Sequence, residues 1–273
     1  MNERISIMGC GWLGRPLGRR LLNDGYVVRG STTTPDKRPR LRDDGLQPHL
    51  ITLEPELHAS DDADEFFDAD WLFLNVPPPR GRNDVVAYHR TQIEAVARAA
   101  RNAPVESVLF ASSTGVYPNT NGEVTEDDAG DPARPTGEAL LAAEALLQNE
   151  SGFDATVLRF SGLYGPDRSP ARFLAGREDV DGPDAPVNLV HRDDCIGVVR
   201  RVLERNARGE VFNVCADKHP TRRAFYTQAA RSLDLEPPSF SDTPKPYKVV
   251  SNQRLRERLG YRFQHPDPLA DVR

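Results

Sequence analysis

Gly9-Cys10-Gly11-Trp12-Leu13-Gly14 stands where a short apolar run, Ile5 to Met8, gives way to leucines at positions 13, 17, 21 and 22. The run has the texture of a buried strand, and the leucines recur on one helix face until Asn23-Asp24-Gly25 ends them. A strand that turns at once into a helix packed on it needs residues without a Cβ: one glycine for the tight turn, another for the close helix–strand approach. Tyr26-Val27-Val28-Arg29-Gly30 then reads as a second strand, at the interval of a right-handed βαβ crossover. The opening of the chain is thereby committed to two parallel strands.

The same alternation continues. Leu50 to Leu53, Trp71 to Val76, Val108 to Ala111 and Ala155 to Phe160 read as strands, and their continuous apolar character belongs to a sheet covered on both faces. Val85 to Ala103 and Thr136 to Asn149 are the clearest helices, the second carrying Leu140, Leu141, Ala145 and Leu147 among acidic residues. The predicted fold class is α/β, a Rossmann-type doubly wound parallel sheet with a small C-terminal substrate lobe. Residues 1–160 form the expected dinucleotide-binding core. A helix near Asp194 to Asn206 and a strand at Val211 to Val214 let 188–215 rejoin it. Residues 161–273 are otherwise Gly- and Pro-rich and read mainly as the substrate-binding lobe over the strand carboxyl ends, where ligands bind in such sheets.

Composition narrows the function classes. A formal charge of −6 argues against a polyanion-binding surface, so nucleic acid is not an expected partner. Cys10, Cys195 and Cys215 are odd in number and lack CxxC or Cys/His spacing, which suggests neither a disulfide framework nor a zinc site and favours a reducing, cytoplasmic compartment. The first strand begins too early for a signal segment, and no apolar run reaches membrane-spanning length. A soluble intracellular protein without a membrane partner is expected, acting on a small-molecule substrate.

In its strand–turn–helix context the glycine motif is a phosphate turn: the second glycine lets backbone approach a pyrophosphate, and the helix amino end faces it. Gly9, Gly11, Trp12, Leu13 and Gly14 are accordingly the first cofactor-binding candidates. An NAD(H) site usually ends its second strand in Asp or Glu, which accepts from the ribose hydroxyls. This chain has Ser31-Thr32-Thr33-Thr34 there, with Lys37, Arg38 and Arg40 close behind. Hydroxyls donate to a 2′-phosphate and the cations add charge, so Ser31, Thr32 and Thr33 point to NADP(H), with NAD(H) as the other candidate. The competing reading is that these hydroxyls merely cap the following segment. Arg29 is a further candidate, for stacking on adenine.

Four stretches in order along the chain carry a family resemblance. With the glycine turn, Phe110-Ala111-Ser112-Ser113-Thr114-Gly115-Val116-Tyr117 resembles the fifth-strand signature of extended short-chain dehydrogenases/reductases, which include nucleotide-sugar epimerases and dehydratases. Leu158-Arg159-Phe160-Ser161-Gly162-Leu163-Tyr164-Gly165-Pro166, Asn188-Leu189-Val190-His191-Arg192-Asp193-Asp194 and Val211-Phe212-Asn213-Val214 look like that family's later segments. The resemblance implies cofactor contacts from Val76, Pro77, Ser112 and Ser161, a Ser113 hydroxyl that positions a substrate carbonyl, and dimerisation through helices 85–103 and 136–149. The family's Tyr-x-x-x-Lys pair is absent: Thr136 and Leu140 hold its positions. That departure, with Gly30-Ser31-Thr32-Thr33 and Asn75-Val76-Pro77-Pro78, is similar to the YeeZ-like atypical members.

A phenol serves as acid or base only when its pKa of about 10 is lowered by a neighbouring cation, and threonine beside leucine cannot replace that pair. Tyr117 is the first substitute donor and, with Ser113, a catalytic candidate, although structural packing is its commoner role. Tyr164 and His191 are weaker candidates, a loop anchor and a hinge residue respectively. Arg80, Arg82, Arg168 and Arg172 are of a type that grips anions, though solvated surface positions are the commoner outcome. Asp127, Asp128 and Asp131 lack paired His or Cys and are read as solvent-facing, so no metal is expected. The sequence supports an atypical oxidoreductase or epimerase-like enzyme with a non-standard proton donor, against a non-catalytic cofactor sensor.

Overall fold

The alternation of apolar runs and amphipathic segments folds as β1 (Arg4–Met8), α1 (Gly14–Asn23), β2 (Val27–Thr32), α2 (Arg38–Asp43), β3 (Gln47–Leu53), β4 (Leu57–Ala59), α3 (Ala63–Phe67), β5 (Trp71–Leu74), α4 (Val85–Arg101) and β6 (Ser107–Ser113). There follow β7 (Glu123–Val124), α5 (Pro135–Gln148), β8 (Asp154–Phe160), β9 (Gly162–Tyr164), β10 (Leu189–His191), α6 (Arg192–Arg205), β11 (Val211–Val214), α7 (Arg222–Arg231), β12 (Val249–Val250) and α8 (Gln253–Leu259). The computed structural model describes residues 3–60 and 63–272. Its eight-stranded sheet runs β11-β8-β6-β5-β1-β2-β3-β4. The pairings from β6 through β5, β1 and β2 to β3 are parallel, and β4 closes the edge antiparallel to β3.

The two neighbours of β1 are β2 and β5, so the strand order reverses there, and such a reversal leaves a crevice at the strand carboxyl ends. Burial follows from the sequence: Ile5, Ile7, Leu72, Phe73, Leu74, Val108, Leu109 and Phe110 are almost wholly excluded from solvent, as strands covered on both faces must be. Ile93, Val96, Ala97 and Ala100 of α4 and Ala139, Ala143 and Leu147 of α5 form the apolar stripes of two helices that pack on each other. Among the described residues no helix is long and apolar enough to cross a membrane. Cys10, Cys195 and Cys215 are all free and buried.

Chain contacts divide the protein into two compact units. The first takes the chain up to Val116, with Arg134–Arg159 and Val202–Val211; the second comprises Tyr117–Ala133, Phe160–Arg201 and the chain from Phe212 onward. The second unit contains two short parallel pairs that sequence periodicity could not reveal, β9 with β10 and β7 with β12. Strands of two or three residues are too brief to show alternation.

A buried ion pair keys α5 to the sheet of the first unit. Glu144, 2% exposed, receives Nε of Arg159 at 3.2 Å and Nη2 at 2.7 Å, while Ser112 Oγ donates to the same carboxylate. Burying either charge alone would be costly, so each partner makes the other tolerable. Glu144→Ala should cost about 3–5 kcal/mol, because it leaves the Arg159 guanidinium buried without its counter-ion. Glu144→Leu combined with Arg159→Met should recover much of that loss. A urea midpoint for Glu144→Ala within about 1 kcal/mol of the parent would show that the pair contributes little.

Three histidines, His89, His191 and His219, have pKa values lowered from 6.5, chiefly because burial disfavours the imidazolium. The unfolded chain therefore takes up protons that the folded one refuses as pH falls below about 6.5. Their contribution to stability is complete above that value and is lost through the depressed native pKa values. The urea midpoint should fall between about pH 7.5 and 5.5, and His89→Asn should flatten that slope. A midpoint flat across this range would refute the assignment.

Candidate functional site

The site begins where backbone meets backbone. Gly9 adopts φ +102°, and a Cβ there would lie 2.4 Å from the Asn75 carbonyl oxygen; one on Gly14 would lie 2.3 Å from the Gly9 carbonyl oxygen. These two glycines are required by the fold itself. Gly11 is different: a Cβ there would meet nothing within 4 Å. Ser31 Oγ accepts from Gly9 N at 3.0 Å, the Ser31 carbonyl accepts from Cys10 N at 2.9 Å, and Asn75 Nδ2 donates to the Gly9 carbonyl at 3.0 Å. The turn is thus clamped from both neighbouring strands. The first turn of α1 carries no acidic side chain, leaving its amide end favourable to an anion. Leu13 is buried and Trp12 half-buried, while burial pushes the Cys10 thiol up to about 12, which leaves it inert.

The hydroxyl run after β2 divides its labour. Ser31 is buried and braces Gly9; Thr32 is buried, and its Oγ1 accepts from Thr34 N at 3.2 Å. Thr33, Lys37 and Arg40 are exposed. The expected hydroxyl donors therefore include two that build the turn and one, Thr33, that faces solvent. Arg29 is buried with its guanidinium on the Asp68 carbonyl and carboxylate, which commits it to structure rather than to an adenine ring. Val76 and Pro77 follow Asn75 at the exit of β5. Sequence reasoning misses the bracing role of Asn75, though a polar residue closing the apolar run Trp71–Leu74 is a signal for it.

At the exit of β6, Ser113 is half-buried and its Oγ accepts from Gly115 N at 3.1 Å, so it shapes the turn Thr114–Val116. Helix α5 packs against both β6 and this turn. Thr136 is half-buried and Leu140 buried, and neither ionises. Glu144 continues their stripe at helical spacing. The i, i+4, i+8 relation to Thr136 and Leu140 is the sequence signal that this acid is not a surface one.

In the second unit, Tyr117 is wholly buried and its phenol donates to Asn213 Oδ1 at 2.5 Å; the Asn213 amide N donates to Glu126 Oε1 at 2.8 Å. That is the packing role weighed against catalysis from sequence. Tyr164, 3% exposed, donates to Asp271, and burial followed by that carboxylate raises its pKa far above the phenol range. His191 lies edge-on to Tyr164 and against His265, with ring centroids 3.7 Å apart. His191, Asp193 and His265 are the group of metal-ligand types that the described residues bring together. The His191 and His265 rings form a tilted stack, with Asp193 3.8 Å from His191 and Asp271 3.0 Å from His265. Ser161 is buried beside Cys215, its amide donating to the Val214 carbonyl at 3.0 Å.

Three of the other charged candidates, Arg82, Asp127 and Asp128, hold neighbouring structure. Arg82 pairs with Asp84 at 2.8 Å and stacks on Tyr88. Asp128 completes a capping box with Thr125, and Asp127 holds Arg254 at 2.8 Å. Lys248, absent from the sequence candidates, donates from Nζ to the Tyr117 carbonyl at 2.6 Å. No local motif marks it, since its partner is 131 residues away.

The model of the NAD dependent epimerase/dehydratase family matches residues 5–215. Protein YeeZ of Escherichia coli K12 is 38% identical over 273 residues, 98% of each chain. A functionally unknown conserved protein from Silicibacter pomeroyi has a similar structure, with TM-score 0.78, 26% identity and coverage of 99% of this chain and 97% of that one. A short-chain dehydrogenase/reductase superfamily protein from Agrobacterium tumefaciens, solved with bound NAD, shares the fold at TM-score 0.79 and 21% identity, over 98% of this chain and 95% of its own. A glycine turn clamped between strands, a doubly wound sheet and a match across most of the chain converge: this protein belongs to the NAD-dependent epimerase/dehydratase family of short-chain dehydrogenases/reductases, alongside YeeZ.

Proposed function

We propose that this protein binds a nicotinamide dinucleotide, with NADP(H) preferred over NAD(H), and acts as an oxidoreductase or epimerase-like enzyme on a small polar or nucleotide-linked substrate with a non-standard proton donor. The observation that carries the reading is the glycine turn. Two of its glycines are consumed by backbone contacts, while the third has an open Cβ direction that the fold does not explain. A pyrophosphate approaching backbone amides at the start of α1 does explain it. The cofactor, when bound, supplies hydride exchange. Gly11 and the α1 amides would seat its phosphates, Val76, Pro77, Ser112 and Ser161 would line it as the family resemblance implies, and Ser113 would orient a substrate carbonyl.

The preference for NADP(H) rests on the residues at and beyond the end of β2. No carboxylate ends that strand, whereas Thr33, Lys37 and Arg40 are exposed beyond it. They offer hydroxyl and cationic donors to a 2′-phosphate. A homodimer through α4 and α5 and a cytoplasmic location belong to the same proposal. The absence of an ionisable group at Thr136 and Leu140 favours one second reading, a cofactor sensor without turnover.

Gly11→Val should leave the thermal midpoint almost unchanged, because the added atoms meet no protein, yet weaken dinucleotide binding at least about tenfold. Gly14→Ala should instead destabilise the fold. Titration with NADPH and NADH checks each step. Equal affinity would defeat the 2′-phosphate argument, no binding of either would defeat the cofactor reading, and full binding by Gly11→Val would remove it from this turn. Tight binding with no hydride exchange across carbonyl and sugar-nucleotide panels would select the sensor.

A further inference from the structure

Only four of the 35 basic side chains are lysines, Lys37, Lys218, Lys245 and Lys248; arginine serves everywhere else. Lys37 and Lys245 are exposed, and Lys218 is a mostly exposed partner of Asp267 at 3.5 Å. Lys248 is half-buried, and its ammonium meets a neutral peptide oxygen, that of Tyr117. No carboxylate among the described residues lies within ion-pair distance of it. Of the acids on and just after β7, the strand paired with β12, Glu123 is exposed, and Glu126 receives Asn213 N and faces Arg254. Burial lowers the Lys248 pKa with no opposing acid.

The side chain is held deliberately. Asn188 Nδ2 donates to the Lys248 carbonyl at 2.9 Å, and Asn188 Oδ1 accepts from Val250 N at 2.9 Å, fixing the backbone from the lysine carbonyl onward. The residue that supplies its acceptor is fixed as well: the Tyr117 phenol is bound to Asn213, whose Nδ2 donates to the Ser251 carbonyl at 3.0 Å. Lysine, carbonyl and strand β12 thus form one closed hydrogen-bonded loop. Ordering a lysine costs up to about 2 kcal/mol of rotamer entropy, and half-burying its charge costs more. One neutral acceptor leaves two of its N–H donors without a protein partner.

We propose that Lys248 is a ligand-binding residue that receives an anionic oxygen, carboxylate or phosphate, of the substrate. This deepens the function proposed above and rests on its reading that the protein takes a small polar or nucleotide-linked substrate. A compact ammonium with donors left over after one carbonyl can turn them to such an oxygen, a task that an arginine guanidinium can also fill.

The test uses the intact protein with its lysines reductively dimethylated with ¹³C, which keeps their charge and gives one lysine methyl signal for each of four positions, Lys248 being assigned by its loss in Lys248→Arg. Inorganic pyrophosphate and citrate are added in separate arms. The Lys248 signal should titrate below the other three, shift saturably with at least one probe, and move to higher pKa when that probe binds. Response to pyrophosphate identifies a nucleotide-linked substrate class, and response to citrate a carboxylate. Lys248→Gln should weaken the responding probe at least about tenfold, while Lys248→Arg keeps it within about threefold. A Lys248 signal unmoved by both probes to about 10 mM, or a shift confined to the other lysines, overturns the proposal, as does Lys248→Gln binding like the parent. The wild-type signal decides even where Lys248→Gln fails to fold. NADPH titration of the same samples separates the two readings: NADPH binding with a silent Lys248 sinks only this inference, and a responsive Lys248 without NADPH binding sinks only the cofactor site.

Discussion

The close approach of Gly14 to the Gly9 carbonyl oxygen, which leaves no room for a Cβ, is the constraint from which the first unit is built. It sets the distance of α1 from β1. Gly9 in turn lies against the Asn75 carbonyl, so β5 must follow β1 at the same level. Ser31 and Asn75 then clamp the turn from the two strands that flank β1, one accepting from the Gly9 amide and the other donating to its carbonyl. A turn satisfied in this way from both sides makes no internal use of the open Cβ direction at the exposed Gly11.

A second buried linkage explains how α5 keeps its position without the groups that usually justify it. Ser112, Glu144 and Arg159 bring together the exit of β6, the middle of α5 and β8 in one charged network. Thr136, Leu140 and Glu144 share a helix stripe, and only the last of them is polar enough to bind the sheet. Glu144 thus holds α5 to the sheet, while Thr136 and Leu140 on the same stripe carry no ionisable group.

The strands and long helices were legible because their periodicity is local. Ile5 to Met8, Val108 to Ala111 and Val211 to Val214 declare themselves through neighbouring residues, and the structure shifts their ends by a residue or two at most. What the sequence left open depends on partners far along the chain. Whether Ser31 binds a phosphate or a glycine turns on an amide 22 residues away. Tyr117 looked reactive because of where its strand ends, and its burial by Asn213 across 96 residues is not encoded nearby. Glu144 is readable in principle from its spacing to Leu140, but with Glu138 on the same helix, spacing alone does not say which acid is paired with a cation. The short strands β7, β9, β10 and β12 fall below the length at which any pattern exists.

The protonation chemistry of the second unit narrows the search for an acid or base. Tyr164 and Tyr261 are raised by burial and by carboxylates, Asp271 for the first and Asp194 for both, so each holds its proton more firmly than a free phenol. Tyr117 is committed to Asn213. A group that exchanges protons near neutrality must be shifted the other way, toward the operating pH. His191 and His219 are shifted further below it, and His191 is locked between Tyr164 and His265. Lys248 is the cation whose shift carries it toward neutrality, with burial as the cause and a peptide carbonyl as its brace. In a chain that writes all but four of its 35 basic side chains as arginine, this half-buried lysine braced on a peptide carbonyl is a compact ammonium with donors to spare.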